Sequence, residues 1–473
     1  MREPIRFVLN GEPVEAGCRA DATVLEWLRG EALLRGTKEG CAEGDCSACS
    51  VLIQRPDAPE PEPVNACILT MGQIAGAALT TVEGLAATAA GGNAVQRAMA
   101  VNGSSQCGFC TPGIVVALTA LANANDNPTD DEVHEAMAGN LCRCTGYRPI
   151  VEAARAAAAE VERLAPPATW PKAGDAAGSA ESHYLRPGSL VELLRLREAN
   201  PEAPLLAGGT DLGLSVAHAK ARWPVAILTR HVPELRAIEE TDLGFDIGAA
   251  ATWSEILPVI EPHYPAFGTI IRRFGSAQVR SVGTMGGNLG TASPIGDAAP
   301  TLLAIGATLR LVGRRGERMV ALEEYFQGYR KTALRPGEII RSIVVRKPAR
   351  HEQLHVWKVS KRFDQDISTV CAAFFIDVDG GRIGNARTGF GGMDAVPARA
   401  LAVENALAGA VVDDLSAAAD AAREAFTPLS DMRATDRYRA TVAGNLVLRL
   451  QAVLTGGAAH VSELDAALPE AAE

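Results

Sequence analysis

Nowhere in the 473 residues is there an uninterrupted apolar stretch near the roughly 18 residues that a membrane-spanning helix needs. The best run, residues 113–122, is too short, so no membrane association is expected. Basic charge is also scarce: 45 Lys and Arg stand against 56 Asp and Glu. The net charge of −11 excludes the non-specific nucleic-acid binding that rests on neutralising phosphates, and no nucleic-acid partner is expected. No Gly-x-Gly-x-x-Gly follows a strand-like segment, which removes a Rossmann dinucleotide site from consideration. The opening residues, MREPIRFVLNGEPVE, lack an apolar core followed by a small-residue cleavage site. The expectation is a cytoplasmic chain, and in that reducing compartment its 10 cysteines suit metal or redox chemistry better than disulfides.

What is present is globular: 47% hydrophobic and 21% charged residues suffice for buried cores, and at about 100 to 200 residues per domain the length suggests three or four domains. An apolar segment at 5–9, the turn pair Asn10-Gly11 and Val14 predict a β-hairpin. Asp21 can then cap a helix in which Val24, Leu25 and Leu28 share a face, and strands are expected at 50–53 and 65–71. From 93 to 164 the pattern is helical, with helices expected at 93–99, 113–122, 130–138 and 150–164. Their starts are marked by Thr111-Pro112 as cap and first helical position, by Thr129 with Glu132 as a capping box, and by Pro149. The Ala-, Pro- and Gly-rich stretch 165–181 reads as an extended linker. Beyond it, a helix-like segment at 189–198 alternates with strand-like ones at 204–207 and 308–312, an α/β pattern. Strands expected at 355–360, 370–378 and 387–389 precede alanine-rich helices ending near Leu454. The expected division is 1–88, 89–165, a linker at 166–182, 183–348, 349–455 and a polar tail at 456–473.

Cys41, Cys46, Cys49 and Cys67 follow a Cys-x4-Cys-x2-Cys spacing with a distant fourth, and the first three have the spacing of plant-type 2Fe-2S ferredoxins. Three thiolates from one loop wrap a cluster, and Gly40 and Gly44 let the backbone turn tightly and aim amides at sulfur. A structural zinc ion would also accept four thiolates, although zinc sites generally use paired knuckles. Cys107, Cys110, Cys142 and Cys144 form a second set, Cys-x2-Cys and Cys-x-Cys, which taken alone suits zinc or an iron–sulfur cluster. Both pairs fall in loops beside expected helix starts, whose partial positive charge favours an anionic thiolate cluster. Cys18 and Cys371 are left as buried or idle thiols.

The strings KEGCAEGDCSAC, GSSQCGFCTPG and GNLCRCTGYRPI together resemble the iron–sulfur half of the xanthine dehydrogenase family of molybdenum hydroxylases. The resemblance continues in LLAGGTDLG at 205–213, SVGTMGGNLGTASPIGD at 281–297 and KRFDQDIS at 361–368, and covers residues from about 5 to 450. It implies a multidomain α+β chain with four parts. These are a β-grasp plant-type ferredoxin domain, a four-helix 2Fe-2S domain, an α/β FAD-binding domain of the vanillyl-alcohol-oxidase type and a C-terminal α+β domain. Two departures stand out. Ser47 occupies a position where relatives commonly have Gly, and the family's long molybdenum-cofactor domain is absent from these residues, so the implied partner is a separate molybdopterin-binding large subunit.

As bare patterns, the Gly-Gly pairs at 208–209 and 286–287 are ordinary turns or places where backbone amides approach a pyrophosphate. The resemblance implies that Gly209, Thr210 and Asp211 contact the pyrophosphate of FAD, with Leu205, Ala207, Gly208 and Leu212 beside it. It further implies that Thr284, Gly287, Asn288, Thr291 and Asp297 hold the ribityl, ribose and phosphate groups, Asp297 as a ribose partner. Phe274 would lie beside the isoalloxazine ring and Lys358 near the flavin; read without the family they are a core aromatic and a solvated strand lysine. The run 361–366 resembles the loop bordering the flavin's reactive face, where it would govern nicotinamide access; a charge-mixed surface turn is the alternative. Gln106 and Cys144 would lie beside the partner's molybdopterin. The implied function is electron transfer from purine hydroxylation through two 2Fe-2S clusters to FAD and then NAD, in a dimer of two-chain units. The alternatives are the equivalent subunit of another molybdenum hydroxylase, an oxidase using oxygen, or a noncatalytic zinc-bound scaffold.

Overall fold

The computed structural model describes residues 3–58, 60–87 and 91–457. The junction expected at 88/89, and the expected tail beyond 457, lie outside the described residues. Ile5–Leu9 pairs antiparallel with Glu12–Ala16, and Asn10 and Gly11 take φ of 52° and 89°, the left-handed pair that matches strand twist. The hairpin joins a five-stranded mixed sheet in the order Glu12–Ala16, Ile5–Leu9, Ala78–Thr80, Ser50–Gln54, Glu62–Asn65, which grasps the helix Val24–Gly30. Val24, Leu25 and Leu28 are buried as expected, and Phe7 meets Trp27 edge-on at 5.4 Å.

Two local expectations fail here for identifiable reasons. Asp21 does not cap the helix, because its buried carboxylate is taken by Arg19 (both contacts 2.8 Å) and by the Trp223 amide (2.7 Å); Thr23 caps instead, in a box with Glu26. The strand expected at 65–71 stops at Asn65, whose carbonyl accepts from both Ile68 N–H and Leu69 N–H and turns the chain.

The helical region packs Val82–Ala87, Ala94–Val101, Thr111–Ala124, Asp130–Met137 and Arg148–Ala158 around Ile114, Val116, Leu118, Val133 and Ile150. Asn93 with Gln96 and Thr129 with Glu132 form capping boxes. Thr111 is already helical rather than the cap: Cys110 holds that position, and the Thr111 hydroxyl bonds Ser105 at 2.7 Å. The last helix ends at Ala158 rather than near 164, where the Leu164 amide instead donates to Asn123 Oδ1 (2.8 Å).

The stretch expected as a linker is extended but not free. Its Ala176–Gly178 strand bridges Glu3 and heads a four-stranded sheet ordered Ala176–Gly178, His183–Leu185, Val225–Leu228, Leu205–Leu206. A second, antiparallel sheet follows in the order Ile238–Glu240, Gly244–Gly248, Ile339–Arg346, Thr308–Gly313, Gly316–Ala321. The C-terminal part is a meander of Glu352–Val359, Val370–Asp379 and Arg382–Gly391, backed by the helices Leu401–Leu407, Ser416–Glu424 and Asp436–Leu454. Among the described residues no helix is long and apolar enough to cross a membrane.

Candidate iron–sulfur and flavin sites

Cys49 and Cys67 flank the paired strands Ser50–Gln54 and Glu62–Asn65, in which Ser50 faces Asn65, so the sheet fixes their spacing. Cys41 and Cys46 come from a loop folded on itself by Ala42, Gly44 and Ser47 at φ of 58°, 80° and 47°. The amides of Glu43 and Cys46 point at Cys41 Sγ (3.4 and 3.3 Å), and that of Cys41 at Cys46 Sγ (3.3 Å). Cys41 faces Cys46 and Cys67, and Cys67 faces Cys49, which closes the set. Hydrogen bonding from the Cys46 and Cys67 side chains, and then from the amides, holds the Cys41 thiol well below its ordinary range, and the same contacts push Cys46 and Cys67 up, as expected of sulfurs crowded together. A Cβ at Gly40 would stand 2.7 Å from Cys46 Sγ, so that position has no room for a side chain. Among the described residues no three His, Cys, Asp or Glu close on a single ion. The fit to a two-iron cluster therefore rests on the facing sulfurs and on the amides aimed at them.

Ser47 departs from the glycine that the family resemblance implies at this position, and its geometry shows the cost. Its φ of 47° is left-handed, it is fully buried, and its hydroxyl finds no partner among the described residues. Left-handed backbone costs a non-glycine residue roughly 1–2 kcal/mol and an unpaired buried hydroxyl about 1–3, against about 0.5–1 of entropy for glycine. Ser47→Gly is expected to stabilise the chain by about 1 kcal/mol or more, read as a rise in Tm; a fall would show that the hydroxyl is bonded.

The second set straddles two helix starts. Cys107 and Cys110 lead into Thr111–Ala124, and Cys142 and Cys144 into Arg148–Ala158, with Gly108, Gly146 and Tyr147 at φ of 79°, 69° and 68°. Cys110 faces Cys142, and Cys144 faces Cys107. The Cys142 amide donates to the Tyr147 hydroxyl (2.7 Å), which donates to Asn140 O (3.2 Å). Gln106, Cys107 and Cys144 are exposed, beside Phe109 and Leu141, which are 48% and 49% exposed despite being apolar.

The two predicted flavin loops are in direct contact. A Cβ on Gly208 would stand 1.9 Å from Val282 O, so only glycine lets Ala207–Asp211 lie against the segment that enters the Met285–Thr291 helix. Gly209 has φ of 78°, and the N–H groups of Gly209, Thr210 and Asp211 donate to no protein acceptor among the described residues. Successive free amides beside side-chain-free residues make an anion nest, so the loop fits a pyrophosphate. Thr284 caps the second loop by accepting from the Gly287 amide (3.0 Å), and Thr291 donates back to Gly287 O (3.1 Å). Asn288 lies against Gly296, next to Asp297. Leu205 and Leu212 lie on either side of the first loop, Leu212 packing on Leu206 and Leu228. Phe274 packs edge-on to Trp253 at 4.9 Å. Lys358 is no solvated strand lysine: it is 1% exposed and its Nζ lies 2.6 Å from Asp297 Oδ2, while Ser368 donates to Asp297 Oδ1 (2.5 Å).

The three sites adjoin through pairings that no motif specified. Leu141 N–H, next to Cys142, donates to Cys46 O (3.2 Å), and a Gly40 Cβ would lie 3.5 Å from the Phe109 ring, so the two cysteine loops touch. Asn140 donates to Ser47 O (3.3 Å) and accepts from Gln278 of the flavin region (3.0 Å). Gln73 donates to Gly208 O (3.0 Å), and a Cβ on Gly213 would stand 2.1 Å from the carbonyl of Ile68, the residue after Cys67. These are long-range pairings, and of the residues that make them Ile68, Gln73 and Gln278 lie outside every quoted motif.

Two histidines are held neutral, His231 in the cavity beside Ala207, Gly208 and Val282 and His355 on the Glu352–Val359 strand. Burial, and then Arg186, Arg230 and Arg55, push His231 down to about 3, and burial pushes His355 to about 4. An unfolded chain takes up these protons near 6.5 and the folded chain does not, so stability falls as pH drops from about 6.5, down to about 4 for His355 and about 3 for His231. The fall in Tm across that window is expected to be shallower in His355→Gln than in the wild type; equal slopes would contradict the assignment.

Comparison with known proteins identifies the domains that carry these loops. Residues 7–71 match the 2Fe-2S iron–sulfur cluster binding domain, and 81–155 a 2Fe-2S binding domain. Residues 179–348 match the FAD binding domain in molybdopterin dehydrogenase, and 355–454 the CO dehydrogenase flavoprotein C-terminal domain. Xanthine dehydrogenase/oxidase of Gallus gallus is 30% identical over 490 residues, covering 85% of this chain and 36% of that protein. The Rattus norvegicus xanthine dehydrogenase/oxidase is 32% identical over 427 residues, covering 77% and 32%. The chain thus spans about a third of the length of these relatives. Among solved structures, carbon monoxide dehydrogenase from Hydrogenophaga pseudoflava superposes with a TM-score of 0.54 at 28% identity, covering 56% of this chain and 94% of that one. Quinoline 2-oxidoreductase from Pseudomonas putida 86 gives 0.54 at 26%, covering 59% and 98%. Four domain matches in succession make the chain a member of the molybdenum hydroxylase family, composed of two 2Fe-2S domains, an FAD-binding domain and a flavoprotein C-terminal domain.

Proposed function

We propose that the chain is the electron-transfer subunit of a xanthine dehydrogenase, working with a molybdopterin-binding large subunit that hydroxylates a purine, and delivering the electrons to NAD. The observation that carries this reading is the joining of both cysteine sets and the flavin loops in one chain. The xanthine dehydrogenase/oxidase of Gallus gallus matches 85% of it, whereas the carbon monoxide and quinoline enzymes' chains match 56% and 59%. The ligands are Cys41, Cys46, Cys49 and Cys67 for one cluster and Cys107, Cys110, Cys142 and Cys144 for the other. Bound there, the clusters supply one-electron carriage and the flavin the exchange between one- and two-electron chemistry.

The chain's own residues set the order. Gln106, Cys144, Phe109 and Leu141 present the helical set at the surface for the partner; Leu141 and Phe109 abut the ferredoxin loop, and Ile68 abuts the flavin loop. The Gly209–Asp211 amides hold the pyrophosphate, and Lys358 fixes Asp297 for the ribose. The structural matches to the carbon monoxide and quinoline enzymes favour a second reading, in which the same relay serves another substrate. NADH added anaerobically to the purified chain tests the acceptor. Bleaching of flavin and iron–sulfur absorption is expected; intact bands that respond to dithionite but not to NADH would overturn the NAD assignment.

A further inference from the structure

The turn at 361–366 touches three parts of the molecule at once. Asp366 Oδ2 accepts from the amides of Lys361 and Arg362 (both 2.9 Å) and closes the turn. Arg273, the neighbour of Phe274, donates to Phe363 O through Nε and Nη2 (3.1 and 3.0 Å) and stacks 4.2 Å over the Phe363 ring. The Gln365 amide returns a bond to Arg273 O (3.0 Å), and its side chain donates to Ala138 O of the helical region (2.7 Å). Arg362 reaches the other way, into the ferredoxin loop, where Nη2 and Nη1 donate to Asp45 Oδ1 and Oδ2 (3.1 and 3.4 Å). Asp45 immediately precedes Cys46.

We infer that Arg362 is a positioning residue that raises the reduction potential of the cluster on Cys41, Cys46, Cys49 and Cys67 by neutralising Asp45, and so ties the flavin-bordering turn to that cluster. The inference rests on the reading of those cysteines as ligands. A cluster gains negative charge on reduction, so a bare carboxylate beside a ligand opposes the electron and a guanidinium on that carboxylate offsets it. The side chains are 52% and 32% exposed, so solvent screens the effect, and a shift of about threefold in the reduced-to-oxidised ratio is expected. By reciprocity, reduction of the cluster strengthens the Arg362–Asp45 pair by the same factor, drawing the turn toward the ferredoxin loop as the electron arrives.

An EPR-monitored redox titration of the whole cofactor-loaded chain tests this. Two 2Fe-2S signals in the wild type are the prerequisite, and their absence would count against the ligand reading rather than against Arg362. In Arg362→Gln, one signal is expected to have its reduced-to-oxidised ratio at the wild-type midpoint lowered about threefold, roughly 28 mV at about 59 mV per tenfold for one electron. Asp45→Asn moves the same signal the opposite way, the double variant returns to near wild type, and the other signal stays in place. Unmoved signals in Arg362→Gln, equal movement of both, or a shift that persists in the double variant would overturn the inference.

Discussion

Gly208→Ala is expected to strip FAD from the chain while leaving both iron–sulfur signals in place. Its Cβ would stand 1.9 Å from Val282 O and 2.9 Å from Gly283 Cα, both main-chain atoms that cannot swing aside. Overpacking of this kind costs about 1–3 kcal/mol or more, and the loop can escape only by parting from the Met285–Thr291 segment, which separates the two halves of the flavin site. At about 1.4 kcal/mol per tenfold, FAD affinity falls by roughly tenfold to a hundredfold. Gly290→Ala is the control: its Cβ meets only Ile340 Cδ1, at 3.9 Å, so flavin content is expected to hold. The flavin-to-protein ratio after gel filtration reads both. Equal retention in the two variants would mean that contact between the loops does not form the flavin site.

Lys358→Met is expected to destabilise the fold by about 3–5 kcal/mol, because it keeps the side-chain volume and leaves the Asp297 carboxylate, 4% exposed, with Ser368 as its side-chain partner. Asp297→Asn added to Lys358→Met removes the buried charge and is expected to restore most of the loss. Denaturant unfolding of the wild type and the two variants measures this. A loss in Lys358→Met that the second substitution does not relieve would assign it to packing instead.

The cysteine spacings and the Asn10-Gly11 turn were legible because each is a local constraint: a cluster loop needs ligands at short intervals, and a two-residue hairpin needs left-handed φ. The same locality explains the failures. Asp21 has the right chemistry for a cap, but Arg19 and Trp223, the latter 202 residues away, take both of its oxygens. The glycines at 208 and 209 are ordinary turn residues by pattern, and their meaning depends on Val282 and Gln73, which only the fold brings near. Lys358 reads as a surface lysine on a strand until Asp297 is placed 2.6 Å away. Asn140 and Tyr147 lie within a quoted motif but Gln278 left no signal, and the bonds that link these loops appear only in the fold. Ser47 is the converse case: the sequence marked the departure, and its φ of 47° supplies the physical reason for it.

Quantitation of iron, acid-labile sulfide, zinc and FAD on one purified sample tests most directly whether two clusters and one flavin share a single chain. Two 2Fe-2S domains and one FAD-binding domain predict four irons, four sulfides and one FAD per chain, with no stoichiometric zinc. Zinc at either cysteine set in place of iron and sulfide, or a fully loaded iron complement with no flavin, would contradict it.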